Sequence, residues 1–345
     1  MNASRRDFIK IGAVAGATVI ANGLEGATGA VAQNADAAAS LHVPEGADFA
    51  GMAGAYAALI TPYKKDGSIN EEMIERIVEH GLANGLRGFY LTGSTGEGFL
   101  LSADERVRVY ERAVKAARGR AKMIAHVGCL STDDAVSLAR RAAKAGVDWV
   151  SSVAPVYFGQ TFEAAYRHYE RISNATDLPF MIYSIKAAVV PSRDVKFFDL
   201  PNVKGMKYTG TDYFAVQCLR RRLVEKGKEA IFFAGRDEQL VCALAFRNVF
   251  SGGIGTTYNI IPRHFAEICR MSFAGDAIGA ARMQDEANRV VELMIESENW
   301  SYRKAMMKYI GLDCGPYRYP YAPLTDEEYA AFARRIDALG ILQKA

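Results

Sequence analysis

Apolar and polar positions follow a repeated order along this chain, in which a short apolar run precedes a longer amphipathic one. We predict a strand at each short run: Ala55–Thr61, Gly88–Thr92, Ala121–Val127, Trp149–Ala154, Pro179–Tyr183, Val203–Tyr208, Ala230–Ala234 and Gly252–Gly255. Helical spacing of apolar residues follows Asn70, a favourable helix cap. The further predicted helices are Ser102–Arg118, Ser131–Gly146, Phe162–Thr176, Asp212–Lys226 and Glu238–Phe246.

Strands that are almost wholly apolar and alternate with helices are typical of a parallel sheet covered on both faces. Eight such repeats predict a (β/α)8 TIM barrel, which we assign to residues 49–275. An open doubly wound sheet is the alternative, but it would want a glycine-rich phosphate turn after its first strand, and none is present. More helices follow than a barrel needs, and they predict a C-terminal helical extension, assigned to residues 276–345. These helices are predicted at Arg263–Phe273, Ala277–Glu298, Ser301–Ile310 and Thr325–Leu342.

The N-terminus has the pattern of an export signal. Ser4–Lys10 reads S-R-R-D-F-I-K, a twin-arginine motif, and a weakly apolar run rich in glycine and alanine follows it. Small residues on both sides of Ala32 predict cleavage there, so residues 1–32 are assigned to a signal peptide and 33–48 to a linker. We therefore expect an exported, periplasmic protein with no membrane anchor after cleavage.

Composition narrows the classes of function. The chain has 345 residues, half of them hydrophobic, and a formal net charge of +3, which gives no basis for nucleic-acid binding. Its five cysteines and five histidines are scattered, without paired metal-type spacing. We therefore expect buried structural thiols and neither a metal nor an organic cofactor.

One lysine, Lys207, lies near the end of the predicted sixth strand. It is either a solvated lysine at a strand end or a desolvated amine that attacks a ketone to form a Schiff base. Three other stretches favour the second interpretation, because each follows a predicted strand and so lies at the same end of a barrel: Gly93–Glu97, Tyr183–Ile185 and Gly235–Glu238.

Residues with hydroxyl groups lie at or after the ends of predicted strands two, four and five. The Gly-Ser-Thr-Gly-Glu turn at Gly93–Glu97 offers two hydroxyls and exposed amides to a small carboxylate, or is simply a glycine-rich turn. Tyr183 ends strand five and Tyr157 follows strand four. Each is either a proton-transferring phenol or a packing residue.

Acidic groups follow the seventh strand. Asp237 and Glu238 are placed to hold substrate hydroxyls, or to provide favourable charge at a helix N-terminus. Thr256 offers a hydroxyl after strand eight. His126, near the end of strand three, is interpreted as a hydrogen-bonded structural histidine rather than a catalyst.

Together, Lys207, the Gly93–Glu97 turn and the Tyr-Ser-Ile run at Tyr183–Ile185 resemble the dihydrodipicolinate synthase / N-acetylneuraminate lyase superfamily of pyruvate aldolases. The resemblance covers about residues 54–321 and is closest to the N-acetylneuraminate lyase branch. The motifs similar to that branch are Gly96–Ser102, Ile124–Cys129, Gly235–Glu238 and Gly252–Asn259.

The resemblance implies a role for each matching residue. Lys207 would be the Schiff-base lysine and Tyr183 the phenol that moves protons, with Ser94 and Tyr157 completing a hydroxyl relay. Thr95 would hold the pyruvate carboxylate and Thr209 would contact the reacting region. The distal, hydroxylated part of the substrate would face Gly235, Asp237, Glu238 and Thr256. The family also implies a homotetramer, in which Tyr157 can approach a neighbouring subunit's site.

Departures from the family pattern bear on the substrate. Ala188 stands where dihydrodipicolinate synthases carry an arginine, which argues against an aspartate-semialdehyde substrate. Lys186 replaces a common proline and Arg236 a common aromatic residue, so the pocket mouth gains positive charge. The usual Gly-Ala-Asp before strand eight is replaced within residues 247–251.

Three functions follow from these residues. The first is a lyase that cleaves a hydroxylated 2-keto acid, sialic-acid-like or derived from a sugar acid, to pyruvate and an aldehyde. The second is a dehydratase or hydratase-aldolase of the same superfamily acting on another 2-keto acid. The third is a non-catalytic exported keto-acid binder, which the joint presence of Lys207, Tyr183, Ser94 and Tyr157 disfavours.

Overall fold

The structure is a computed structural model that describes residues 50–157, 161–185, 187–246, 249–296 and 299–344. The predicted signal peptide at 1–32, the predicted linker at 33–48 and Lys186 lie outside the described residues.

Eight parallel strands form a closed barrel in which each strand pairs with the next and the last returns to the first. Their bounds are β1 Gly54–Ala58, β2 Gly88–Leu91, β3 Lys122–His126, β4 Trp149–Val153, β5 Phe180–Ile185, β6 Val203–Thr209, β7 Ile231–Ala234 and β8 Gly252–Gly255. The predicted (β/α)8 barrel is confirmed. The strands are nearly all buried because side chains fill the barrel on one face and pack against helices on the other.

Helices connect the strands and cover the barrel. Their bounds are α1 Glu71–Ala83, α2 Ala103–Ala117, α3 Thr132–Lys144, α4 Phe162–Ser173, α5 Pro191–Asp194, α6 Tyr213–Glu225, α7 Leu240–Leu244 and α8 Pro262–Ala274. The Asn70 side chain accepts a hydrogen bond from the Met73 amide, and Ser102 and Glu105 form a capping box at α2. These caps set the residues at which α1 and α2 begin, and therefore where the loops before them end.

Three helices follow the barrel: α9 Ala277–Ile295, α10 Ser301–Tyr309 and α11 Asp326–Leu339. The predicted C-terminal helical extension is therefore present. Helix α9 packs against α8 and against the short 3-10 turn Asp237–Gln239 at the end of β7. The extension thus contacts the barrel at the end where the strands finish. Among the described helices, none combines the length and apolar character that a membrane crossing requires.

Candidate active site

Lys207 lies inside the barrel on β6, directly beside Tyr183 on β5 in the strand register. Its side chain is 5% exposed. The Nζ atom is 4.3 Å from the ring centroid of Tyr90 and 4.4 Å from that of Tyr183. No carboxylate of the described residues forms an ion pair with this amine. Lys207 is therefore a buried amine between two aromatic faces and not a solvated lysine at a strand end.

Tyr90, on β2, is a residue of this site that the sequence analysis missed. Its ring meets the Tyr183 ring edge-to-face at 5.8 Å, and its hydroxyl is 2.9 Å from the Ser151 hydroxyl. Burial raises the pKa of Tyr90 well above its usual value, so this phenol stays neutral. A tyrosine inside an apolar strand, just before the Gly93–Glu97 turn, was the signal that could have identified it.

His126 supports Tyr183 from the other side. The two rings meet edge-to-face with centroids 6.0 Å apart. The His126 Nε2 atom accepts a hydrogen bond from the Val153 amide at 3.4 Å, and Nδ1 is 3.2 Å from the Thr92 carbonyl oxygen, to which it donates. Burial and the nearby Arg106 guanidinium lower the pKa of His126 well below its usual value. The interpretation as a neutral structural histidine agrees with this arrangement.

The Gly93–Glu97 turn, which the sequence analysis assigned to the substrate carboxylate, lies between β2 and a 3-10 turn at Gly98–Leu100. Thr95 is buried, and its hydroxyl is 2.7 Å from the hydroxyl of Thr256 after β8. The structure therefore brings Thr95 and Thr256 together. Ser94 is exposed and lines, with Tyr183, a cavity of about 750 Å³.

Tyr157 is placed differently from the other predicted catalytic residues. Its side chain is 78% exposed, and it is not among the described residues that line the cavity shared by Ser94 and Tyr183. Ser94 and Tyr183 therefore share a cavity wall, whereas Tyr157 is not among the described residues of that wall.

The acidic groups after β7 are largely engaged by protein atoms. The Asp237 carboxylate accepts hydrogen bonds from the Thr257 amide, at 2.7 Å, and from the Thr257 hydroxyl. Burial raises the pKa of Asp237, and the two Thr257 bonds oppose that rise. Glu238 pairs with Arg236 at 2.9 Å, so each cancels part of the other's charge at the mouth of the barrel.

Gly235 allows β6 and the β7 loop to approach closely. A Cβ atom at this position would lie 2.1 Å from the Thr209 Oγ1 atom, so a side chain there would displace the threonine. Thr209 Oγ1 is buried and has no hydrogen-bond partner among the described residues.

The cavity extends from Tyr183 over the connection between β5 and α5. Its walls are mostly apolar and include Ala188, together with Arg193, which pairs with Asp194. No group of three or more histidine, cysteine or acidic side chains in the described ranges could hold a metal ion.

A buried amine, a phenol beside it and a hydroxyl-rich turn are together suited to imine chemistry on a small keto acid. Comparison with known proteins agrees, since residues 51–339 match the sequence model of the dihydrodipicolinate synthetase family. The chain belongs to the dihydrodipicolinate synthetase family. The superfamily resemblance inferred from the sequence is thereby confirmed.

Relatives of this family member include an N-acetylneuraminate lyase of Rhizobium meliloti (strain 1021), 32% identical over 83% of this chain and 94% of that protein. A solved N-acetylneuraminate lyase of Fusobacterium nucleatum superposes with a TM-score of 0.78 at 29% identity, covering 85% of this chain and 100% of that one. A Ruminococcus gnavus sialic acid aldolase, described as a catalytic lysine mutant, has a TM-score of 0.76 at 28% identity, covering 84% of this chain and 97% of that one.

Proposed function

We propose that this family member is a class I pyruvate aldolase that cleaves a hydroxylated 2-keto acid to pyruvate and an aldehyde. The observation that carries the proposal is the Lys207 amine, buried beside the Tyr183 phenol and within the same barrel mouth as the Thr95 hydroxyl. The relatives that are named lyases or aldolases support the same class of reaction.

The reaction begins at the amine. Neutral Lys207 attacks the C2 carbonyl of the keto acid, water leaves, and a protonated imine forms. Tyr183, whose phenol gave its proton to the departing water and is now a phenolate, accepts the proton of the C4 hydroxyl. The C3–C4 bond breaks, its electron pair moves into the imine to give an enamine, and the aldehyde departs. Protonation at C3 and attack by water at C2 release pyruvate and return the free amine.

The aromatic faces of Tyr90 and Tyr183 favour this sequence because the imine carries a positive charge at the position of Nζ. A cation over the face of an aromatic ring is stabilised, most strongly where water is excluded. Thr95 and the amides of its turn fix the substrate carboxylate, the one strongly polar group that every 2-keto acid offers.

The distal half of the substrate is assigned to the side of β7 and β8. Asp237, Glu238 and Thr256 supply polar groups there, which suits a hydroxylated chain. Ala188 offers no cation for a semialdehyde carboxylate, so we expect negligible condensation of pyruvate with aspartate semialdehyde.

Borohydride reduction in the presence of pyruvate tests the proposal. We expect a stable adduct on the peptide that contains Lys207, and none in Lys207→Ala. Lys204→Ala is the matched control, because it removes a partly exposed lysine from the same strand. An adduct on another lysine would refute the assignment.

A panel of 2-keto acids assayed for pyruvate release then identifies the reaction. Release from hydroxylated acids supports the lyase. Loss of water without pyruvate release would indicate a dehydratase, and adduct formation without turnover of any acid would indicate a binder.

We also propose that residues 1–32 direct export by the twin-arginine route and that the mature protein is periplasmic. Replacing both Arg5 and Arg6 by lysine should retain the protein in the cytoplasm. An unchanged location in fractionated cells would refute this. A homotetramer is proposed from the family alone, and light scattering of the purified protein checks it.

A further inference from the structure

A buried ion pair joins the C-terminal extension to the carboxylate-binding turn. Lys304 of α10 places its Nζ atom 2.8 Å from Glu97 Oε1, and the two side chains are 3% and 1% exposed. Glu97 is the last residue of the Gly93–Glu97 turn that holds Ser94 and Thr95. The reaction described above uses neither charge.

Both members of the pair are held by further contacts. The Lys304 ammonium lies over the rings of Tyr63 and Tyr317, at 4.2 and 4.4 Å, and donates to the Pro316 carbonyl at 3.0 Å. The Arg318 amide donates to Glu97 Oε2 at 2.9 Å. Two segments of the extension therefore hold one glutamate.

Arg318 ties down the residues that follow the turn as well. Its guanidinium donates to the Leu100 carbonyl at 2.8 Å and pairs with Glu105, the capping residue of α2. The extension thus holds the chain at Glu97 and at the residues that follow it.

The backbone of the turn needs such support. Glu97 has a φ of 57°, in the left-handed region that residues other than glycine rarely adopt. The Glu97 amide donates to the Ser94 carbonyl at 3.1 Å, and the Thr61 hydroxyl donates to the Gly96 carbonyl at 2.7 Å. Ser94 and Thr95 therefore lie in a tight turn whose closing residue is strained.

We infer that Glu97 and Lys304 are a positioning pair, through which the C-terminal extension sets the Ser94–Thr95 turn in the geometry that binds the substrate carboxylate. This inference rests on the proposed function. A buried ion pair is weak evidence for added stability, because apolar residues of similar volume often stabilise a protein as well. Such a pair does specify one geometry, since its two charges must meet.

The sign of the charges also matters. An unpaired glutamate in a turn that binds a carboxylate would repel the ligand. Burial raises the pKa of Glu97, and the Lys304 ammonium opposes that rise, so the lysine favours the ionised glutamate and cancels its charge. The turn can then present its hydroxyls and amides to an anion.

The experiment compares two ketones that differ in the carboxylate. Adduct formation on Lys207 is measured by borohydride trapping over a range of pyruvate concentrations and, separately, of acetone concentrations. The variants are Lys304→Met and the double variant Glu97→Gln/Lys304→Met, which leaves no buried unpaired charge. Arg335→Met is the control, because it breaks an exposed ion pair of the extension, with Glu296.

We expect both Lys304 variants to require about tenfold more pyruvate for half-maximal trapping, with acetone trapping unchanged, since charge-assisted contacts to the carboxylate are lost. Arg335→Met should behave as the wild type. If Lys304→Met does not fold, the double variant and Glu97→Gln alone answer the same question.

Wild-type preference for pyruvate over acetone in any folded variant that lacks the pair would overturn the inference. Equal losses for both ketones would also overturn it, because they would show general damage to the barrel. Failure of the wild type itself to trap pyruvate on Lys207 would instead refute the proposed function.

Discussion

The two halves of the barrel mouth differ in whether protein atoms already bind their polar groups. On the side of β5 and β6, Lys207 is surrounded by aromatic rings and has no carboxylate partner among the described residues. On the side of β7 and β8, Asp237 is bound by Thr257, and Glu238 is paired with Arg236. The Lys207 amine of the first half has no such protein partner, whereas the acidic groups of the second half are mostly bound by protein atoms.

This difference indicates how chemistry and specificity are separated in the molecule. The half at β5 and β6, called the imine half after the Schiff base proposed on Lys207, is fixed by core packing, so we expect a change there to alter the reaction itself. The distal half combines the buried Asp237–Thr257 contact with the partly exposed Arg236–Glu238 pair, and we expect a change at the exposed pair to alter which substrate is preferred. Four substitutions test this separation, and the largest effects belong to the imine half.

Removing the Tyr183 hydroxyl should have the largest effect. Tyr183→Phe keeps the ring over Lys207 and removes the proton, so turnover should fall by about 10²–10⁴-fold with little change in folding. Steady-state kinetics and a thermal melt measure the two. Tyr213→Phe is the control, because it removes a hydroxyl bound to Gln239 on the distal side. Near-normal turnover of Tyr183→Phe would exclude the phenol from the mechanism.

Acid should weaken the imine half through His168, which lies behind β4. Its Nε2 atom donates to the Val153 carbonyl at 3.2 Å and Nδ1 accepts from the Thr132 hydroxyl at 2.8 Å, so the ring is neutral. Burial lowers the pKa of His168 to about 4. The unfolded chain takes up a proton near the ordinary pKa of about 6.5, before the folded chain does, so stability is lost as the pH falls between these values.

His168→Gln should remove this loss, worth about 2 kcal/mol at pH 5. Urea unfolding at pH 7 and pH 5 measures it as the difference between wild type and variant. His264→Gln, a half-buried histidine beside Glu286, should change the pH dependence less. Equal slopes for wild type and His168→Gln would contradict the prediction.

The sequence was sufficient for the barrel because its strands are buried on both faces and its helices carry their own caps. Apolar runs and capping residues such as Ser102 are local signals, and the structure has its strands and this helix cap where they predict them. Lys207 and Tyr183 were predicted to lie at the same end of the barrel because each is at the end of a parallel strand, and the register places them side by side.

What the sequence did not predict depends on contacts between distant residues. Tyr90 faces Lys207 only because β2 and β6 lie across the barrel from each other, which local spacing does not specify. Glu97 meets Lys304 across the junction between barrel and extension. The role predicted for Tyr157 in a relay stays a prediction, and its side chain is exposed in this structure.

The ring of Tyr90 provides the next test. Tyr90→Leu removes an aromatic face from the imine cation, and cation–π contacts of about 0.5–2 kcal/mol correspond to roughly 2- to 30-fold weaker adduct formation with pyruvate. Tyr90→Phe keeps the face and loses only the hydroxyl contact with Ser151, so it should trap pyruvate almost as the wild type does. If Tyr90→Phe and Tyr90→Leu lose equally, the hydroxyl and not the ring is what matters.

The smallest effect is expected at Arg236, on the distal half. Its pair with Glu238 is partly exposed, and charge pairs in such a place contribute about 0–1 kcal/mol. We expect a contact between Arg236 and the substrate to fall in the same range, so Arg236→Ala should raise KM for the true substrate by about fivefold at most. Half-saturation by pyruvate alone should not change, because pyruvate has no distal group. Glu238→Gln is the informative partner, since it releases the guanidinium and should tighten binding of a substrate with an anionic distal end. Equal shifts for pyruvate and for the full substrate in Arg236→Ala would show that the two halves of the mouth are not separable.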